Sequence, residues 1–529
     1  MYDLVIRNGL FIDGTRAPAR KADLWIKNGR IAGIGRFDGE AAKEIDAAGK
    51  VVAPGFLDIH SHSDGCVLVP YRPESKLCQG VTFELCGNCG ISILPSTPES
   101  RAEISEYFTS ELQLPMDGVK ISTHTVADYA EQSAAAPKAG NYGMLIGHGT
   151  LRGCVMGFEN RNPTNSELQQ LKERLAAEME LGAFGMSLGL IYPPSAFAET
   201  WEIDALAQVV REHRGILAVH MRNEGPHVFE AASEMLGVAE RTGVHLEISH
   251  LKIMTKSLWG HSQDLLDKID AARTRGADVT CDQYPYYASS TSMTAMVPKW
   301  AHDGGVLALM ERVMHPEKRL LDDIAAEMES RGGPDRVLVA STRGGYPAWE
   351  GKTIEQIAQE LSCGVVEAVV RILQTCGAGV SCIYFSQNEE DVERILRRTD
   401  IAVGSDGYGF SYDPAITHDM PHPRNFGTFP HAIELARDKK ILPLEDIVYK
   451  MTGLPAKIMG MTERGILAEG KIADITIFDP KTIRDNSTFT DPIKRPSGIE
   501  AVLVAGIAVL EKGEFTGATP GKVLLHGQC

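Results

Sequence analysis

The sequence predicts an α/β fold: a (β/α)8 TIM barrel, a small β-sandwich built from both termini, and a lid inserted between strands seven and eight. Three observations predict it. Short apolar runs alternate with helical stretches through the centre, period-two patterns occupy both ends, and polar residues able to do chemistry terminate most of the apolar runs. At 529 residues the chain exceeds the size at which one core stops growing, so a barrel plus a second module is expected. The predicted division is 1–54 and 466–529 for the two parts of the sandwich and 55–465 for the barrel, with 290–341 as the lid.

The first fifty residues hold "DLVIRNGLFIDG" and "ADLWIKNGRIAGIG", whose Asn8-Gly9 and Asn28-Gly29 pairs suit type I′ hairpin turns. The same kind of pattern returns in "KIADITIFDP" and "IEAVLVAGIAVLEKGEF", so the two ends are expected to pair with each other. Between them lie eight candidate parallel strands: "VVAPGFLDIHSH", "GVTFELCGN", "YGMLIGHG", "AFGMSLGLIY", "ILAVHMRNE", "HLEISHLK", "DVTCDQYPY" and "IAVGSDG". From Tyr287 to Asp400 about 110 residues separate the last two, far more than one crossover helix needs. The amphipathic "KRLLDDIAAEMES" in that interval predicts a small helical lid over the barrel mouth.

Composition narrows the function. Hydrophobic residues at 43% and charged residues at 23% describe an ordinary globular chain. With 70 acidic against 53 basic residues, the net charge of −17 repels nucleic acid and anionic membranes, so a polyanionic partner is not expected. No run of about 18 apolar residues appears, and Met1-Tyr2-Asp3 leads straight into a strand-like segment, so the cytosol is the expected compartment. The ten cysteines then read as buried thiols or metal ligands.

The chemistry lies at the strand ends. His60 and His62 close the first strand in "FLDIHSHSD" and project to the same side of it, so both reach one metal. A lone His-x-His would be an ordinary polar strand end, but His220 ends the fifth strand, His250 the sixth and Asp406 the eighth. That coincidence of positions points to a zinc site, with Cys89 of "ELCGNCGIS" as a further thiolate ligand. Cys86-x-x-Cys89 would alternatively be half of a zinc knuckle or a redox pair, but no second such pair exists, and Cys86 is read as packing. Asp406 is the candidate general base and acid, because a carboxylate beside a metal-activated water accepts its proton and returns it to a leaving nitrogen.

These segments, together with "GHGTLR", "GLIYPPSAFA", "HMRNEG", "SHLK", "DQYPYYASST", "HPRNFGTFP" and "KIADITIFD", resemble the D-aminoacylase (N-acyl-D-amino-acid deacylase) family of the amidohydrolase superfamily along nearly the whole chain. The resemblance implies that Cys89, His220 and His250 hold one tight zinc, that His60 and His62 form a weaker second site, and that Asp406 serves the water and the amide nitrogen. It implies hydrolysis of N-acyl-D-amino acids to a carboxylate and a free D-amino acid, the chirality resting on the likeness alone. Lys252, and second Arg424, are the candidate cations for the substrate carboxylate; Tyr192, Arg222 and Ser289 lie just past strand ends as further lining candidates, and His148 and Arg152 as supporting residues. The alternative is a cyclic-amide hydrolase resembling hydantoinases or dihydroorotases. Those typically carry a bridging lysine, whereas this second strand ends in cysteine. The polar Glu84 within "TFELC" leaves the register of that strand open.

Overall fold

The computed structural model describes residues 1–111 and 121–529. Eight parallel strands follow one another in sequence order around a barrel: Phe56–Asp58, Val81–Cys86, Asn141–Gly147, Gly185–Gly189, Ile216–His220, His245–Ile248, Val279–Gln283 and Ile401–Val403. A parallel bridge between Ser61 and Gly407, with the Asp406 amide donating to the His60 carbonyl at 2.8 Å, brings the first strand end to the last. Every strand named in the sequence reading is present. The helices between them bury one face each: Val228–Thr242 turns Ala231, Met235, Leu236 and Ala239 inward and ends at Gly243, whose left-handed φ of 69° closes the last turn.

The second strand is polar for a structural reason. Glu84 is buried and accepts from Ser61 Oγ at 2.6 Å and from Ser63 Oγ, while Lys76 Nζ reaches Asp58 at 2.6 Å and also bonds Ser405. These groups form a hydrogen-bonded layer inside the barrel, beneath the first and last strand ends.

The two termini do meet. Val51–Pro54 pairs antiparallel with Ile475–Phe478, joining the N-terminal strands to Ile499–Val504 and Ile507–Glu511 in one nine-stranded sheet. Asn28 and Gly29 turn the chain between Arg20–Lys27 and Arg30–Gly35 with φ of 51° and 73°, the two positive values a type I′ turn requires. Asn8-Gly9 differs from expectation. The strand Tyr2–Phe11 runs through it, and the pair forms an irregularity in register between Ile6 and Gly9. Asn8 accepts its φ of 60°, and a Cβ on Gly9 would stand 2.4 Å from Val52 Cγ2, so the glycine serves close packing rather than a turn.

The insert between the seventh and eighth strands is larger than 290–341, and it is not purely helical. Ser289–Ser292, Val337–Ser341 and Ser381–Tyr384 form a three-stranded antiparallel sheet, against which Gly305–Met314, Lys318–Ser330, Ile354–Leu361 and Val365–Cys376 pack around a separate core that includes Met293, Ile324, Val339 and Ile372. Its first strand reads "SSTS", without the apolar alternation that would have marked it.

Candidate metal centre

The strand ends deliver a dense cluster of donors. His60 Nε2 and His250 Nε2 each lie 3.4 Å from Cys89 Sγ. Asp406 Oδ1 stands 3.3 Å from His60 Nε2 and 3.0 Å from His62 Nε2. Donor atoms of His60, Cys89, His250 and Asp406 all fall within 4.8 Å of one another, and those of His220, Glu224 and His250 form a second such group sharing His250. Each residue named is buried.

The backbone is bent to achieve this. Cys89, His250 and Asp406 adopt φ of 54°, 38° and 51°, a region that costs side-chain-bearing residues about 1 to 3 kcal/mol each and recurs at functional sites. Gly189, at the end of the fourth strand, makes the Cys89 bend possible, since a Cβ there would sit 1.9 Å from the Cys89 carbonyl oxygen.

Opposite charges converge in the cluster and shift one another. Burial alone would raise the Cys89 thiol, yet the His60 and His250 imidazoles hold it well below its ordinary value. His250 is itself pushed up to about 9, because Glu224, Asp406 and Cys89 outweigh burial and the Lys252 charge. Burial likewise opposes ionisation of Asp406, and Arg424, His250 and His60 override it. His62 Nδ1 and His220 Nδ1 are buried without a hydrogen-bond partner. A thiolate, imidazole nitrogens and carboxylates converging in this way, with orphaned ring nitrogens among them, fit a zinc ion in donor type and in charge.

The amidohydrolase family model matches residues 43–509. The chain belongs to the amidohydrolase family, in its D-aminoacylase branch. It is 36% identical to a D-aminoacylase of Alcaligenes xylosoxydans xylosoxydans over 531 residues, covering 99% of this chain and 97% of the relative. It resembles the N-acyl-D-glutamate deacylase structure of Bordetella bronchiseptica, complexed with zinc and a phosphonate mimic of the tetrahedral intermediate, with a TM-score of 0.82 at 33% identity and 99% coverage of both chains. A D-aminoacylase structure with a binuclear metal centre superposes with a TM-score of 0.83 at 36% identity, covering 99% of this chain and 100% of that one.

In this amidohydrolase the cavity over the cluster is lined by Tyr192, Lys252, Tyr284, Ser289, Asp406 and Arg424, among others. Lys252 Nζ lies 2.7 Å from Glu224 and 2.8 Å from His250 Nδ1. Arg424 bonds Asp406 at 2.6 Å and lies over the Tyr284 ring at 4.9 Å. Arg222 does not reach this cavity. Its guanidinium is held by Glu234 at 3.0 Å and by the carbonyls of Ala196 and Ala198, and it lines an adjoining cavity that shares Ile191 and Tyr192 with this one. His148 and Arg152 both bond the buried Glu202 behind the barrel wall. Cys86 is buried, and burial holds its thiol well above the ordinary range, as packing demands.

Three residues of the site escaped the sequence reading: Asp282, Glu224 and Tyr284. Asp282 lies at the C-terminal end of the seventh strand, one residue before Gln283, as Asp406 lies just past the eighth, and Glu224 follows His220 by four residues in "HMRNEG". The strand-end rule that singled out Asp406 would have found Asp282; no local pattern marks Glu224 or Tyr284.

Proposed function

We propose that the chain hydrolyses the amide bond of N-acyl-D-amino acids, releasing a carboxylate and a free D-amino acid, with zinc held at the barrel mouth. The observation that carries this reading is the convergence of two imidazole Nε2 atoms on Cys89 Sγ at 3.4 Å each, with Asp406 in the same group. The D-aminoacylase and deacylase relatives supply the substrate class and the stereochemistry. Cys89, His220 and His250 hold the tighter zinc, and His60 with His62 the weaker one.

Zinc, when bound, polarises the acyl carbonyl and acidifies the attacking water. Asp406 accepts the proton of that water and passes it to the amide nitrogen, so the C–N bond breaks with a neutral amine leaving. Arg424 keeps the Asp406 carboxylate ionised and oriented for that role. Lys252, Arg424, Tyr284 and Ser289 face the cavity as the groups for the substrate carboxylate, and Tyr192 borders the same space from the fourth strand. Ten free cysteines suit a reducing, cytosolic setting, and among the described residues no helix is long and apolar enough to cross a membrane.

The test is a substrate panel with the zinc-loaded protein: N-acetyl-D-amino acids, their L-enantiomers and a hydantoin. Turnover of the D-series is expected; turnover of hydantoin alone would overturn the reading in favour of a cyclic-amide hydrolase, which Cys89 in place of a bridging lysine argues against.

A further inference from the structure

We infer that Asp282 is the positioning residue for the weaker metal site: its single carboxylate fixes which nitrogen of His60 faces the metal and anchors the backbone of His250. The inference rests on the zinc-site reading above and adds to it a residue that contacts no metal donor atom position itself.

The geometry is specific. Asp282 Oδ2 lies 3.2 Å from His60 Nδ1, and Asp282 Oδ1 accepts from the His250 amide at 2.9 Å. The carboxylate is buried, as is the His60 ring, so neither oxygen has water as an alternative partner. An imidazole that donates its Nδ1 proton to Asp282 presents a bare Nε2 lone pair, and that is the nitrogen that points to Cys89 Sγ and Asp406. The second oxygen holds the amide of a residue whose backbone is in the left-handed region, at φ 38°, and thereby sets the direction of the His250 ring. Asp282 therefore links the first strand to the sixth from its place on the seventh.

Both oxygens must accept. Only a carboxylate offers two acceptors of this shape, which makes Asp282→Asn an informative change. The His250 amide is fixed in the backbone and claims the one remaining oxygen, so the Asn amide group faces His60 Nδ1. His60 must then accept at Nδ1 and carry its proton on Nε2, where it no longer binds a metal.

Zinc titration of the chelator-stripped full chain, followed calorimetrically, tests this. D282N is expected to weaken the same site that H60N weakens, by about 10- to 100-fold. The double variant H60N/D282N is expected to bind zinc as H60N alone does, which a merely structural role for Asp282 would not produce. A wild-type isotherm for D282N, or additive losses in the double variant, would overturn the inference while leaving the zinc-site reading intact; a wild-type chain that binds no zinc overturns both. A measurement independent of whether D282N folds is the nitrogen spectrum of histidine-labelled, zinc-loaded wild type, assigned with H60N. Protonated Nδ1 on His60 is expected, and a metal-bound Nδ1 would refute the assignment.

Discussion

Two buried regions of this barrel treat carboxylates in opposite ways. At the mouth, Asp406 and Glu224 are fully enclosed and yet held well below the ordinary carboxylate range: Arg424 and the histidines counter burial at Asp406, and His220, Lys252 and His250 counter it at Glu224. In the outer helical layer, Glu178 on Asn165–Glu180 has one backbone partner, the Val126 amide at 2.9 Å, and burial pushes it up to about 7. The contrast teaches that burial alone neutralises a carboxylate, and that the charge at the mouth exists because cationic partners were assembled there to keep it. A site that keeps its carboxylates ionised and a site that keeps a proton differ in neighbours.

The sharpest way to break this contrast is Asp406→Asn, which removes the ionised group itself. Turnover of an N-acetyl-D-amino acid should fall about 10³-fold or more, with zinc still bound, in steady-state assays and metal analysis. Cys89→Ala should abolish turnover as well, but by lowering zinc content, so the two variants separate proton transfer from metal binding.

Next is Glu224→Gln, which leaves Lys252 buried without the carboxylate 2.7 Å away. About 3 to 5 kcal/mol of stability should be lost, read from denaturant unfolding; a loss below 1 kcal/mol would mean that Lys252 finds other compensation. Arg424→Met removes the cation 2.6 Å from Asp406. The acid limb of the rate profile should then move to higher pH, because Asp406 loses its largest charge support.

The smallest effect is expected at Glu178. Its folded pKa of about 7 lies above the unfolded value near 4.3, so the native state holds the proton longer. The stability this contributes is present below about pH 4 and lost as pH rises through 7, on the order of 4 kcal/mol over that window. Glu178→Gln should flatten that part of the stability profile without changing turnover.

The barrel was legible because hydrophobic runs of strand length, each ended by a polar residue, survive in one dimension. His60, His62, Cys89, His220, His250 and Asp406 were visible for the same reason, each lying at or just past a strand end. Arg222 looks equivalent in sequence, two residues past the fifth strand, and its guanidinium is tied to Glu234 rather than to the donors of the cluster. The Asn8-Gly9 pair carried a turn signature and became a bulge, because Val52 packs against Gly9 from a strand more than forty residues away. The sheet of the insert was hidden by its polar first strand.

By itself the sequence determined the order of the strands, the kind of donors at their ends and the pairing of the two termini, since periodicity and residue chemistry are local properties. Only the tertiary structure decided which donors face one another, that Asp282 and Glu224 brace the imidazoles, and that Lys252 and Arg424 are each tied to a carboxylate of the site. Those are distances between residues on different strands, and they exist only once the barrel has closed and excluded the water that would otherwise satisfy each group separately.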